Sequence, residues 1–228
     1  MSLIDERLLQ KQETRRVRGP RLLFVTDLTH PCLQQIHHKI TEDRPFELET
    51  LRIFQAGNLL EDYWADILTE NRDITILGRQ VPAYQTITVD DTPWEIHGRV
   101  DILAQHNNEQ LVAHEVKSTK STYYIKKEGQ PKEDHVAQLQ FYLNALTIDH
   151  GQVDYLDKKA LLEGRDPIDL CFPVKRNEKA IRDILNLATE IARSLQDATL
   201  PPANPDAWNG KVCDYCSYRD LCQKEVYT

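Results

Sequence analysis

Two carboxylates and a lysine carry the clearest chemical signal in this chain. Asp101 precedes a polar turn, and Glu115 and Lys117 follow it, in the stretch GRVDILAQHNNEQLVAHEVK from Gly98 to Lys117. The arms Gly98 to Ala104 and Gln110 to Ser118 alternate and are rich in aliphatic residues. His106, Asn107, Asn108 and Glu109 between them are turn formers, so the pattern predicts a β-hairpin. With Asn108 at the turn centre, Asp101 faces Glu115 across the ladder, their Cβ atoms roughly 5 Å apart. Lys117 emerges on the same face as Glu115, and His114 on the opposite one. Facing carboxylates repel, so the pair asks for a compensating divalent cation, with Lys117 assisting. An exposed hairpin with scattered charges is the plain alternative.

A second set of chemistry-bearing residues is cysteine. Of five cysteines, three stand close together near the C-terminus, Cys213, Cys216 and Cys222, spaced C-x2-C-x5-C. In a reducing compartment a metal or cluster is expected there rather than disulfides. A tetrahedral or cubane site needs a fourth thiolate, for which Cys32 is the candidate. Thiolates suit iron–sulfur clusters and zinc alike. Structural zinc more often uses paired C-x2-C half-sites within a short span, so one distant cysteine against a clustered three favours iron–sulfur. Cys171, in a strand, reads as a small buried hydrophobe.

The elements that must position these groups follow from periodicity. Residues 1–20 begin as a short helix and end in an arginine run, Arg15, Arg16, Arg18 and Arg21, read as a solvated arm or a phosphate contact. Thr29 near the N-cap and Pro31 in the first turn open a helix to about Ile40. Leu51 to Glu70 has strong helical periodicity. Gly57 inside it costs about 1 kcal/mol against alanine, which suggests a close approach to its backbone. Glu61 lies one turn on. Ile74 to Leu77 and Ala83 to Val89 read as two short strands, and Asp90 to Pro93 as a turn. Ser118 to Lys132, with Tyr123, Tyr124, Lys126, Lys127 and Lys132 interleaved, reads as a mobile segment suited to stacking bases and contacting phosphates, or as an ordinary solvated loop. Glu133 to Ile148 is a helix with Val136, Leu139, Leu143 and Leu146 as its core stripe; Gln138 and Tyr142 share another face. Strands at Val153 to Ala160 and Asp169 to Val174, a helix from Asn177 to Gln196 and a proline-rich linker at Leu200 to Pro205 complete the chain.

Composition bounds the class. The 228 residues are 40% hydrophobic and 28% charged, which suits one packed domain. The net charge of −8 argues against coating nucleic acid by bulk charge but leaves local patches and bound metal able to hold phosphates. No apolar run is long enough to span a membrane. The opening residues lack a signal-peptide core, so a cytoplasmic location is expected.

In this order, G-x-x-D and E-x-K resemble the RecB-like branch of the PD-(D/E)XK nuclease superfamily. Gly57 to Glu61 is similar to that family's G-x-x-x-E element, although CRISPR-associated relatives more often have histidine there. Gln138 and Tyr142 match its Q-x-x-x-Y. The early cysteine and C-x2-C-x5-C resemble the subgroup carrying a [4Fe-4S] cluster, among them CRISPR-associated exonucleases; Gln223 stands where that family often has proline.

The resemblance implies an α/β fold with a central mixed sheet flanked by helices, a restriction-endonuclease-like core over residues 1–228, with 29–45 and 205–228 forming a cluster-binding part that ties the terminal segments together. It implies a Mg- or Mn-dependent exonuclease on single-stranded or free-ended DNA, in CRISPR adaptation beside an integrase complex or in recombination and repair. Asp101, Glu115, Glu61 and the Val116 carbonyl would hold the metal, Lys117 would act on water or phosphate, and Gln138 and Tyr142 would orient the strand. Cys32, Cys213, Cys216 and Cys222 would hold the cluster. A non-cleaving nucleic-acid-binding or assembly subunit of the same fold, and a zinc-bearing scaffold, are the alternatives.

Overall fold

The computed structural model describes residues 2–14, 18–42, 44–107, 109–165 and 168–225, with no side-chain description from 223 onward. Arg15, Arg16, the turn centre Asn108 and the side chain of Gln223 lie outside the described residues.

A six-stranded mixed sheet organises the chain. Its strands are β1 (Leu22–Phe24), β2 (Ile74–Val89), β3 (Thr92–His106), β4 (Gln110–Thr119), β5 (His150–Asp157) and β6 (Asp169–Lys175). β2 pairs along β3 from Thr92 to His106. The other edge of β3 is shared: β1 pairs in parallel with Glu95 to His97, and β4 pairs antiparallel with Ile102 to His106. β5 and β6 extend the sheet beyond β4. The two short strands expected between Ile74 and Val89 are one, because the irregular stretch between them is absorbed without breaking pairing. Leu77 is bulged out of the register, Gln80 is left-handed, and Pro82, on an edge strand, has no ladder bond to lose.

Helices cover both faces. α3 (Leu48–Glu70) sets Trp64, Ala65 and Leu68 against Ile102, Ala104 and Leu156. On the other face lie α5 (Glu133–Ala145) and α7 (Glu178–Gln196), whose Leu139, Phe141, Leu143, Ile184 and Ala188 fill the main core. Asn177 caps α7, its side chain accepting from the N–H groups of Lys179 and Ala180. α1 (Leu3–Glu13) is held to α3 by Asp5, which accepts from Arg52 at 2.8 and 2.7 Å.

Several local expectations are corrected. α2 (Leu33–Thr41) starts later than expected, with Cys32 rather than Thr29 at its N-cap. Arg18 is no solvated arm: it pairs with buried Asp27 at 2.8 Å. The segment after β4 is anchored, since it contains α4 (Tyr123–Glu128), buries Ile125, and donates the Thr122 N–H and hydroxyl to Asp157. Cys171 is exposed, because it alternates with the half-buried Leu170 and Phe172 on edge strand β6. β6 also continues past Pro173 to Lys175.

After α6 (Lys158–Glu163) and α7, the chain returns to α2 through α8 (Ala207–Gly210), a 3-10 turn at Val212–Tyr215 and α9 (Arg219–Glu225). Arg44 donates to both carboxylate oxygens of Asp220 at 3.0 Å each and to the Ser217 carbonyl at 2.5 Å. His38 stacks on Tyr218, and the Asn204 N–H donates to Sγ of Cys32 at 3.4 Å. Among the described residues no helix is long and apolar enough to cross a membrane.

Candidate active site

β3 and β4 pair from His106–Gln110 to Ile102–His114, the register read from the hairpin. The next rung would join Asp101 to Glu115, and it is not made. Instead Oδ2 of Asp101 accepts the Val116 N–H at 2.8 Å. Residues 98–101 of β3 thus lie between the rungs to β1 and the rungs to β4. The strands fork there, and a cleft of about 650 Å³ opens.

Two residues shape the fork. At Gly98 a Cβ would stand 2.5 Å from Cε1 of Tyr142 and 2.7 Å from Cγ1 of Val25, so the Tyr142 ring needs a glycine beneath it. Gln80 sits between the Arg79–Ile102 and Val81–Val100 rungs with φ 51°. Side chains change faces on either side of it: Arg79 pairs with Asp66 of α3, whereas Val81 packs on the main core. On β3, Val100 belongs to the main core and Ile102 to the α3 core. The break in alternation aims Gln80 along the cleft, where its Nε2 donates to Glu61 at 2.5 Å and to Asp101 at 3.3 Å.

A polar chain closes the other side. Lys117 pairs with Glu115 at 2.5 Å and donates to Oε1 of Gln138 at 3.2 Å; Gln138 donates to the Tyr142 hydroxyl at 2.8 Å. Gln138 and Tyr142 are both buried. The seven residues expected at this site, Asp101, Glu115, Lys117, Glu61, Val116, Gln138 and Tyr142, all line the one cleft. Gly57 lines it too, but a Cβ there would meet only Ser118 Oγ, at 3.8 Å. A side chain would therefore have room there, and the expectation of a tight approach from its cost is not met at that position.

The electrostatics favour a cation. Asp101 is pushed well above the usual carboxylate range by burial and then by Glu115 and Glu61. Burial likewise raises Glu115, against the opposing pull of Lys117, and raises Glu61, against its bond from Gln80. For Lys117 burial acts to lower the pKa, but the charge and hydrogen bond of Glu115 outweigh it and the net shift is upward. Glu115 is 1% exposed, and its Oε2 is buried with no hydrogen-bond partner among the described residues. Such an orphaned oxygen between like charges fits a divalent cation. The described residues nevertheless contain no group of three or more His, Cys, Asp or Glu side chains gathered as a ready-made metal cage, so the carboxylates must draw together or use backbone and water ligands.

The cysteines show a comparable partial convergence. Cys32 is buried at the start of α2, and Cys213, Cys216 and Cys222 are partly exposed. The Cys216 thiol is raised by burial first, with Cys32 and Cys213 adding to it as negative neighbours. Cys216 thus lies within electrostatic reach of Cys32 and Cys213, but among the described residues the cysteines are not gathered into a group that could hold a metal ion.

Sequence reasoning missed Gln80, which lies where a break between strands was read and carries no motif. It also passed over a buried network behind β4: His114 bonds Asp154 at 2.7 Å and His106 at 3.0 Å, and Trp64 donates to Asp154 at 3.0 Å. This network fixes α3 to β4 and β5, which holds Glu61 in place across the cleft.

A model of the PD-(D/E)XK nuclease superfamily matches residues 25–223. Among solved structures, SSO0001 is similar with a TM-score of 0.67 and 20% identity, covering 98% of this chain and 97% of that one. An alkaline exonuclease from Laribacter hongkongensis, LHK-Exo, gives 0.56 and 13% identity, covering 85% and 93%. LHK-Exo in complex with dAMP gives 0.54 and 14%, covering 77% and 88%. At these identities the likeness shows the fold. No curated protein matches the sequence.

Proposed function

Because this chain belongs to the PD-(D/E)XK nuclease superfamily, we propose that it is a Mg- or Mn-dependent deoxyribonuclease. Its substrate is single-stranded or free-ended DNA, degraded as an exonuclease. The observation that carries this reading is the crowding of Asp101, Glu115 and Glu61 in one cleft, with a buried Glu115 oxygen left unpartnered. A scaffold without chemistry to perform would gain stability by losing those charges. The exonuclease assignment draws on the likeness to LHK-Exo.

Asp101, Glu115, Glu61 and the Val116 carbonyl would hold the metal, which when bound supplies Lewis-acid chemistry toward a phosphodiester. Val116 restrains Asp101 through its N–H, and Gln80 spans Asp101 and Glu61, so two of the acids arrive oriented. Lys117 is kept protonated by Glu115, which suits it to stabilising charge developing on the phosphate rather than to taking a proton from water. Gln138 steers Lys117 and is itself backed by Tyr142.

Cys32, Cys213, Cys216 and Cys222 would bind a [4Fe-4S] cluster, with residues 29–45 and 205–228 as its binding part within one domain of residues 1–228. The contacts of Tyr218 with His38, Asp220 with Arg44 and Asn204 with Cys32 support this reading. The cluster's role would be to staple the two ends of the chain. Cytoplasmic DNA metabolism, either CRISPR adaptation alongside an integrase or recombination and repair, is the setting such an activity suits.

The test is degradation of end-labelled linear DNA in Mn²⁺. Asp101→Ala and Lys117→Ala should each abolish it; undiminished cleavage by either would refute the assignment. Tight DNA binding without cleavage by the parent protein would select the non-cleaving alternative.

A further inference from the structure

The floor of the cleft carries a row of rings. Phe24 of β1 pairs with His97 of β3, and Tyr84 of β2 pairs with His97 from the other side. The rungs bring one ring from each of three adjacent strands into register. All three point away from the core, since their chain neighbours Leu23, Ala83 and Ile96 are buried in it. Tyr84 is 59% exposed and Phe24 38%. Both line the cleft that holds Asp101 and Glu115.

We propose that Tyr84, His97 and Phe24 form a stacking platform for unpaired bases of the strand whose phosphate reaches Asp101; this rests on the nuclease reading above. Asp101 lies four positions after His97 on β3, roughly 13 Å along the strand. That is about four steps of a stacked nucleic-acid strand at 3.4 Å each. The platform therefore holds bases within a few nucleotides of the scissile bond. A cation stands where the connecting phosphates would run: Arg99 is exposed in the cleft between the row and Asp101. Arg18, held by Asp27, lies 4.6 Å from the centroid of the Phe24 ring and backs one face of it. A π-face beside arginine accepts any base, without reading its edge.

A purely structural role accounts for less. Tyr84 meets His97 edge-on, with centroids 4.6 Å apart, and such a cross-strand pair steadies a sheet. It does not explain why two large rings are left open to water in a cleft that also gathers arginine and the acidic residues.

The probe is a labelled thymidine oligonucleotide and its abasic counterpart of equal length, titrated in calcium without magnesium or manganese. Tyr84→Ala should weaken binding of the intact strand by about 5- to 150-fold and leave the abasic strand unaffected. Tyr84→Phe and Tyr84→Trp should restore parent binding, and Phe24→Ala should repeat the alanine pattern independently. Equal loss on both strands, or parent-like binding of the intact strand by Tyr84→Ala, would overturn the platform. If the parent protein degrades DNA while these variants bind normally, the platform alone fails. If the parent neither binds nor degrades DNA, the nuclease reading fails with it.

Discussion

The Val116 N–H donates to Oδ2 of Asp101 at 2.8 Å, one residue beyond the last rung that joins β3 to β4. A side chain thus takes the bond that a ladder carbonyl would take if the strands stayed together. The fork and the acid depend on each other: the strands part where Asp101 must enter, and Asp101 satisfies the N–H that their parting leaves open. Glu115 and Lys117 flank that N–H in sequence, so the geometry of one carboxylate is tied to the strand that carries the other and the lysine.

This arrangement should be visible in stability against pH. Asp101, Glu115 and Glu61 all have raised pKa values, led by burial. A carboxyl group raised on folding stabilises the fold in its protonated state, fully below its unfolded pKa, and that stability is lost as pH rises through the folded value. In EDTA the melting temperature should therefore fall as pH rises beyond the ordinary carboxylate range. Asp101→Asn should flatten the fall and melt higher than the parent at neutral pH. Mn²⁺ should raise the parent's melting temperature there and leave the variant's unchanged. A metal-free melting profile identical in parent and variant would show that the acids do not strain the fold.

Gly98→Ala tests the floor beneath Tyr142. The added methyl would stand 2.5 Å from the ring and 2.7 Å from Val25. Neither neighbour is the loose end of a flexible chain, so overpacking should cost about 1–3 kcal/mol. Displacing Tyr142 also disturbs Gln138 and, through it, Lys117, so turnover should fall further than DNA affinity. Gly98→Ala with Tyr142→Leu should recover stability in chemical denaturation but not turnover. Recovery of both would mean that Tyr142 only fills space.

Gln80 offers a contrast between fold and function. Its left-handed backbone is one that glycine adopts freely, so Gln80→Gly should stay within about 1 kcal/mol of the parent in stability. Loss of the amide releases Glu61 and Asp101 from each other. Removal of such an outer partner typically lowers metal affinity or activity by about 10- to 100-fold. The Mn²⁺ concentration at half-maximal activity should rise accordingly, and Gln80→Asn, with a shorter reach, should fail to restore it.

How much of this was legible depends on how local the cause is. The hairpin register could be read because turn chemistry and alternation lie within some twenty residues, and it placed Asp101 opposite Glu115 without knowledge of the fold. The helix bearing Glu61 and the pair Gln138 and Tyr142 were readable from periodicity, but their burial was not, since it comes from Gly98 and Lys117 elsewhere in the chain. Gly57 reads as a close backbone contact, but a Cβ there would meet only Ser118 Oγ at ordinary contact distance. Gly78, Gln80 and Pro82 look like a break because each disfavours a regular strand. A long partner in β3 overrides them, and the irregularity that remains positions Gln80. Ile125 and Thr122 anchor a segment that reads as mobile, because their partners, the core and Asp157, are distant in sequence.

The cysteines supply the last test. Asn204 donates to Sγ of Cys32 and Cys216 feels both Cys32 and Cys213, while Arg44 clamps Asp220 and His38 of α2 stacks on Tyr218, so contacts that need no sulfur also hold the tail beside α2. A cluster joining Cys32 to the tail would close a loop of nearly the whole chain, worth on the order of 4–5 kcal/mol in chain entropy by analogy with a long disulfide loop. Cys222→Ala should discard iron and sulfide and lower the melting temperature by about 10–20 °C. Arg44→Ala removes only an exposed clamp, so it should retain the iron and melt slightly lower. Zinc in place of iron in the purified protein would keep the staple and replace the cluster. Full iron retention and unchanged melting in Cys222→Ala would remove that cysteine from the site.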